Sequence, residues 1–280
     1  MSIRIVTDST SDISPEAARE FGITVVPVYI NVGSQSYLDG VDITRQQFYQ
    51  KMPSFHEFAQ TSTPGVAAFR AVFEQLKQEG ASHIISIHVA GAFSSMCDTV
   101  RLAAETVPSI PITVLDSSTF SMGLGFLAIA AAKAAATGKP AAEIVEMVLA
   151  KAQRTILYAA LDTVEYLRRS GRASRLQASL ASFLHIFPVL SVYMGSITME
   201  KIRTRARAVE RLAALLQESS PVEDLAILHS NAIEKAGAVR QMVTNLVPPG
   251  VCVWTVEVTP AIGAHVGPNA VGLACVRAKA

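Results

Sequence analysis

The sequence predicts an α/β protein of two domains, on three observations. Short apolar runs alternate with helical segments through the first 150 residues. The texture changes between about 155 and 200, where strand, short helix, basic turn and hairpin follow in quick succession. Three further strand-like runs then interleave with two helical stretches. A βαβα alternation argues for a parallel sheet with helices on both faces. The later pattern argues for a mixed sheet, with the boundary near residue 155. No internal repeat and no low-complexity linker interrupts the chain.

In chain order, "IRIVTDS" is a first strand, followed by Ser14-Pro15-Glu16 as a helix start and Gly22 as its stop. "ITVVPVYINV" reads as one strand, and "GSQSYLDGVDI" as a hairpin or β-excursion. Thr44 opens a short helix, with Gln47 spaced for a capping box. In "TSTPG", Thr63 is predicted as N-cap and Pro64 as the first residue of a helix running to Gly80. "HIISIHVA" is a strand, "SSMCDTVRLAAETV" a helix, and "PITVLDS" a strand leading into a helix that ends at Ala136. Beyond the boundary, "TILYAA" is a strand and "HIFPVLSVYMGSITMEKIRTR" a hairpin turning at Met194-Gly195-Ser196. "DLAILHS", "VCVWTVEV" and "AVGLACVRA" are the last strands, with helices from Arg205 and Ile233.

The bulk numbers exclude several classes. With 280 residues, 50% hydrophobic, the chain can bury a substantial core. A formal net charge of +1 and 24 Lys and Arg argue against a nucleic-acid protein. The local cluster Arg203, Arg205 and Arg207 leaves a docking patch open. Three widely spaced cysteines, Cys97, Cys252 and Cys275, point to reduced thiols in the cytoplasm. "FLAIAAAKAAA" is too short and alanine-rich for a membrane span and is predicted as a core helix; no stable membrane insertion is expected.

Polar residues collect where parallel strands end, and ligands of such sheets sit there. "TDSTSD", "HVAGAFSSM", "LDSSTFSMG" and "TSTPG" would bring hydroxyls and helix N-termini to one edge, which suits a carboxylate or a phosphate. Thr61 and Ser62 stand out, because no acid or base accompanies them. Their bland role is that of turn residues. "VTDSTSD" lacks the second Asp of an aspartyl phosphatase, since Thr10 occupies that position. "GLGFLA" from Gly123 has glycines spaced as in a dinucleotide fingerprint but lies seven residues past Asp116, so close helix packing explains it better. No Walker A sequence, CxxC or HxxxH occurs, and no metal is expected. Asp8 and Asp116 could meet at the sheet edge or simply close turns, and Ser94 with a histidine and Asp116 could form a triad, without a nucleophile elbow to support it. His265, between Gly263 and the Gly267-Pro268 turn, either faces a cleft or bonds its own loop. "RRSGRAS", with Arg172, is an exposed helix end or a phosphate or partner contact.

Together, "VTDSTSD", "TSTP", "ISIHVAGAFSS", "LDTVEYLRRSGRAS", "KIRTRARA" and "HVGPNAVGLA" resemble the DegV family of bacterial fatty-acid-binding proteins, in order and through almost the whole chain. The resemblance implies a Rossmann-like first domain (1–155), a mixed-sheet second domain (156–280), and one long-chain fatty acid, such as palmitate, stearate or oleate, bound between them without other cofactor. It implies that Thr61 or Ser62, Ser94 and His265 hold the carboxylate, with Ser95, Arg172, Arg203 and Arg205 as further head-group or partner contacts. It also implies a non-catalytic protein that presents its acyl chain to a separate fatty acid kinase. The chain departs from the family at Ser94-Ser95-Met96 (for SGT), Ala90-Gly91 (for a serine pair) and Ile186-Phe187-Pro188 (for IKP). Met96 is then tunnel lining or ordinary core. The competing readings are a hydrolase or phosphotransferase built on Asp8, Asp116 and Ser94, and, more weakly, a two-domain kinase subunit.

Overall fold

The computed structural model describes residues 2–171 and 186–279. β1 (Ile3–Asp8) is followed by α1 (Pro15–Phe21), whose start is capped by Ser14 and whose end is Gly22, at φ 64°. That positive φ suits glycine, which closes the helix in the left-handed conformation. β2 (Ile23–Val26) runs parallel to β1.

The single strand expected over residues 23–32 is in fact two. Pro27 has no N–H for a ladder, and the Val28 amide donates instead to Ser9 Oγ at 3.1 Å. β3 (Tyr29–Val32) therefore leaves the parallel sheet and pairs antiparallel with β4 (Gln35–Leu38) and with β5 (Gln60–Ser62). Between β4 and β5 lies α2 (Arg45–Lys51), with the Thr44–Gln47 capping box formed in both directions.

A second difference concerns "TSTPG". α3 (Val66–Gln78) begins two residues later than predicted, with Gly65 as its N-cap. Thr63 caps nothing, and Thr61 and Ser62 belong to β5. Strand pairing with β3 fixes this segment as extended and postpones the helix.

β6 (His83–His88), α4 (Met96–Glu105), β7 (Ile112–Asp116), α5 (Ser121–Ala136) and α6 (Ala141–Ala152) complete the first half. The four strands form a parallel sheet in the order β2-β1-β6-β7. α5 is apolar all round, as a helix with sheets on both sides must be. It packs on β1, β2 and β6 in one direction and on β8, β11 and β13 of the second sheet in the other. Its two glycines permit this: a Cβ at Gly123 would lie 2.6 Å from Leu157 Cδ1, and one at Gly125 2.8 Å from the Ser11 carbonyl. The "GLGFLA" motif is thus a close-packing device.

The second sheet contains β8 (Thr155–Ala160), β9 (Phe187–Tyr193), β10 (Ser196–Ile202), β11 (Val222–His229), β12 (Val253–Glu257) and β13 (Val271–Arg277), in the order β10-β9-β8-β13-β11-β12. Only β11 and β12 pair in parallel, so the sheet is mixed. The β9–β10 hairpin turns at Met194 and Gly195, with φ of 46° and 72°, the positive pair a tight two-residue hairpin demands. α7 (Glu165–Arg169) follows β8, and α8 (Arg205–Ser219) and α9 (Ile233–Val243) cover the sheet away from α5. The segment read as a turn around His265 contains a helix, α10 (Pro260–Val266), started by Thr259-Pro260 and ended by Gly267 at φ 73°. Among the described residues no helix is long and apolar enough to cross a membrane.

Candidate functional site at the junction of the two sheets

β5 has period-two alternation, so neighbouring Thr61 and Ser62 point to opposite faces. Thr61 turns toward α10, where its Oγ1 lies 2.9 Å from His265 Nε2. Ser62 turns outward, and its Oγ accepts a hydrogen bond from Asn31 Nδ2 at 3.0 Å. Between the two candidates, Thr61 is therefore the one whose hydroxyl meets the histidine. On the other side, the turn after β6 places Ser94, whose Oγ accepts the Met96 amide at 3.2 Å and sits 3.4 Å from Thr63 Oγ1. That last separation is longer than a hydroxyl–hydroxyl bond normally is, so both groups keep a proton to donate elsewhere. Thr63, assigned from the sequence to capping, is thereby a functional candidate; the missing signal was that β-pairing outcompetes the Pro64 helix start.

The Thr61–Thr63 segment, Ser94 and His265 stand at the rim of a cavity with an empty volume of about 950 Å³, its open mouth included. Below the rim the walls are apolar: Val28, Val89, Phe93, Met96 and Phe120 from the first half, and Leu157, Leu167, Leu190, Val192, Ile197, Ile262 and Val266 from the second. Phe93 and Phe120 meet edge to face at 5.5 Å. Met96, left open between core and lining, is both fully buried and part of this wall. A second, almost wholly apolar space continues past Phe120, Leu157, Ile262 and Val266 toward Leu228, Val258 and Val271. Outside the rim lies a polar vestibule lined by Thr61 to Val66, Ser94, Ser95, Thr99, Ser170 and Gly171. The starts of α3 and α4 both face it; Ser94 Oγ takes the first amide of α4, and α3 has no side-chain cap, so backbone N–H groups of these first turns add partial positive charge there.

The carboxylates that a catalytic reading would need are committed elsewhere. Asp8 Oδ2 accepts from His88 Nδ1 at 2.8 Å and from the Val89 amide at 3.2 Å, while Oδ1 holds Thr10. His88 Nε2 in turn meets Ser86 Oγ at 2.7 Å. This Ser-His-Asp order is sealed: Ser86, His88 and Asp8 are all fully buried, and Ser86 lines neither the cavity, its apolar continuation nor the vestibule. Asp116 closes a turn by accepting from the amides of Gly91 at 2.9 Å and Ser118 at 2.7 Å. Among the described residues Ser94 hydrogen-bonds to no histidine, and no group of three or more metal-binding side chains occurs.

A family model described as "Uncharacterised protein, DegV family" matches residues 2–278. The chain belongs to the DegV family. A DegV domain-containing protein of Streptomyces coelicolor is 33% identical over 275 residues, covering 97% of each chain, and one of Listeria monocytogenes is 30% identical over 276 residues with the same coverage. Among solved structures, the DegV fatty-acid-binding protein of Bacillus subtilis superposes with a TM-score of 0.90 at 28% identity, over 99% of each chain. A DegV protein of Thermus thermophilus, described for its fatty acid binding, does so with 0.90 at 27% identity, over 99% of this chain and 100% of that one. The α/β architecture with one parallel and one mixed sheet is that of these DegV structures.

The remaining predicted contacts of this DegV chain that the structure describes lie apart from the rim. Ser95 lines the vestibule only. Arg205 is exposed, pairs with Asp162 at 3.2 Å and stacks over the Phe187 ring, and Arg203 is exposed on the turn before α8. Neither lines the cavity or the vestibule. Phe187 thus serves as an aromatic seat for Arg205. Arg172 lies outside the described residues. The hydroxyl-rich "LDSSTFS" loop contributes only Phe120 to the main cavity, because Ser117 bonds the Thr119 backbone in both directions.

Proposed function

We propose that this protein binds one long-chain fatty acid without transforming it, with Thr61, Ser94 and Thr63 donating to the carboxylate, His265 fixing the Thr61 hydroxyl, and the tail in the apolar cavity. The observation that carries this reading is the junction itself: hydroxyls at the rim of an apolar cavity, with Thr61 bonded to His265 and Ser94 bonded to no histidine among the described residues. Fatty acid binding by the DegV proteins of Bacillus subtilis and Thermus thermophilus supports the same ligand class.

The energetics fit a carrier. About fourteen buried methylenes at ~0.8 kcal/mol each give a gross gain of roughly 11 kcal/mol. A hydrogen bond to a charged group adds only about 1.5–3 kcal/mol. Affinity then comes chiefly from the tail, and the rim orients the head. The vestibule gives the carboxylate a way to solvent, which fits presentation to a separate fatty acid kinase in the cytoplasm, as the family resemblance implies.

Native mass spectrometry of the purified protein, with and without added palmitate, stearate or oleate, tests the reading. One acyl mass per chain is expected. No co-purified or added lipid, or steady turnover of ester or phosphate substrates that Ser94→Ala abolishes, would overturn it in favour of the hydrolase.

A further inference from the structure

α10 carries the part of the rim that is not strand β5 or the Ser94 turn: His265, together with the cavity wall of Ala261, Ile262 and Val266. Seven residues are too few to hold a helix in place by their own hydrogen bonds. The anchorage comes from the opposite end of the chain. The Thr259 amide donates to Asp12 Oδ1 at 2.7 Å, and the Ala261 amide reaches Asp39 Oδ2 at 3.4 Å. Thr259 Oγ1 donates to the Ser9 carbonyl at 3.1 Å, and the Tyr49 hydroxyl to the Val258 carbonyl at 3.1 Å. Arg45 donates to the carbonyls of Glu257, Asp12 and Ile13. Ser9 and Ser121 hydroxyls secure Asp39 and Asp12 from behind.

This arrangement is costly. Asp12 and Asp39 are 0% and 4% exposed, and the nearby guanidinium spends its donors on carbonyls. Asp39 Oδ1 is buried and has no hydrogen-bond partner among the described residues. A buried carboxylate oxygen left unpaired opposes folding. Burial, opposed by the Ser9 bond and reinforced by the charge of Asp12, pushes Asp39 up to about 7. Burial also raises Asp12, against the pull of Arg45. Two carboxylates kept at such expense, one bonded to the Thr259 amide and the other facing the Ala261 amide at 3.4 Å, do more than fill space.

We propose that Asp12 and Asp39 are positioning residues for the binding site. They hold the first turn of α10, which sets His265 against Thr61 and presses Ala261, Ile262 and Val266 onto the cavity. The ligand side of this proposal rests on the fatty-acid reading; the mechanical side does not.

The test uses the isosteric variant Asp39→Asn in the full chain, with two readouts at pH 8.5 and pH 5.5. The other charged or titratable groups around Asp39 are Asp12, Arg45 and Tyr49, with Glu257 and His229 behind Arg45. Comparing variant with wild type at each pH cancels their titration and that of the ligand. At pH 8.5, hydrogen exchange of amides 261–266 is expected to accelerate about fivefold and affinity for a fluorescent fatty acid to fall about fivefold, the difference between a charged and a neutral acceptor. The melting temperature should stay level or rise, because a buried charge is gone. At pH 5.5 the wild-type carboxyl is protonated, and the two proteins should agree within about twofold in both readouts. Unchanged exchange in α10, an equal deficit at both pH values, or faster exchange throughout the chain with a lower melting temperature would each overturn the proposal. A wild type that binds no fatty acid would sink the ligand reading instead, leaving the exchange data to decide the role of Asp39.

Discussion

Two polar clusters lie close together in this molecule, and they behave as opposites. Around Asp8, every strong acceptor is used: His88, Val89 and Thr10 saturate the carboxylate, and Ser86 takes the far ring nitrogen of the histidine. Around Thr61 and Ser94 the contacts are looser, the hydroxyls reach only one another, a histidine and a backbone amide, and a cavity opens beneath them. Both clusters contain serine and histidine. The closed one has the order of a catalytic triad and is fully buried, whereas the open one has access, and its histidine meets Thr61 and not Ser94. A saturated polar network spends its bonds on stability, and an unsaturated one at a cavity rim has bonds left for a ligand.

Removing one member from each cluster should separate these roles. Asp8→Ala strands a buried histidine and amide and should cost about 3–5 kcal/mol of stability in urea unfolding; a loss below about 1 kcal/mol would show that the network is not a keystone. The double variant Thr61→Ala with Ser94→Ala should cost about 2–3 kcal/mol in fatty-acid affinity by displacement titration, with the melting temperature nearly unchanged. Equal affinity and an unmoved bound pose would break the contrast from the other side.

The buried carboxyl of Asp39 sharpens it further. Its folded value near 7 lies above the ordinary 3.8, so the folded chain holds the proton more tightly than the unfolded chain. Stability from this group is full below about pH 4 and declines as pH rises to about 7, by ~1.4 kcal/mol per unit. Between pH 5.5 and 7 the wild type should lose about 2 kcal/mol relative to Asp39→Asn, read from urea midpoints; parallel pH profiles would remove Asp39 as the source. The smallest effect is expected at Arg205→Ala. Its exposed pair with Asp162 is worth below about 1 kcal/mol, and fatty-acid affinity should not change, whereas a several-fold loss would return Arg205 to the head-group contacts.

Much of this was readable along the chain. The βα alternation, the Thr44–Gln47 box, the Met194-Gly195 hairpin and the helices from Arg205 and Ile233 depend on local periodicity and turn chemistry, which neighbouring residues carry. The failures share one cause. Pro27 splits a strand because Val28 bonds to Ser9, nineteen residues away. "TSTPG" is extended because β3 claims Thr61 and Ser62. α10 was read as a turn because its first turn is held by Asp12 and Asp39, more than two hundred residues distant.

The sequence by itself determined the fold class, the family, and the hydroxyl-rich segments that border the cavity, since these follow from patterns within a few residues or from motifs in order. The tertiary structure decided which hydroxyl faces inward, Thr61 rather than Ser62, and which histidine meets it. It also decided which carboxylates are spent on turns and which support α10. Those choices depend on strand pairing and on bonds between distant segments, whose partners only the folded chain brings within reach.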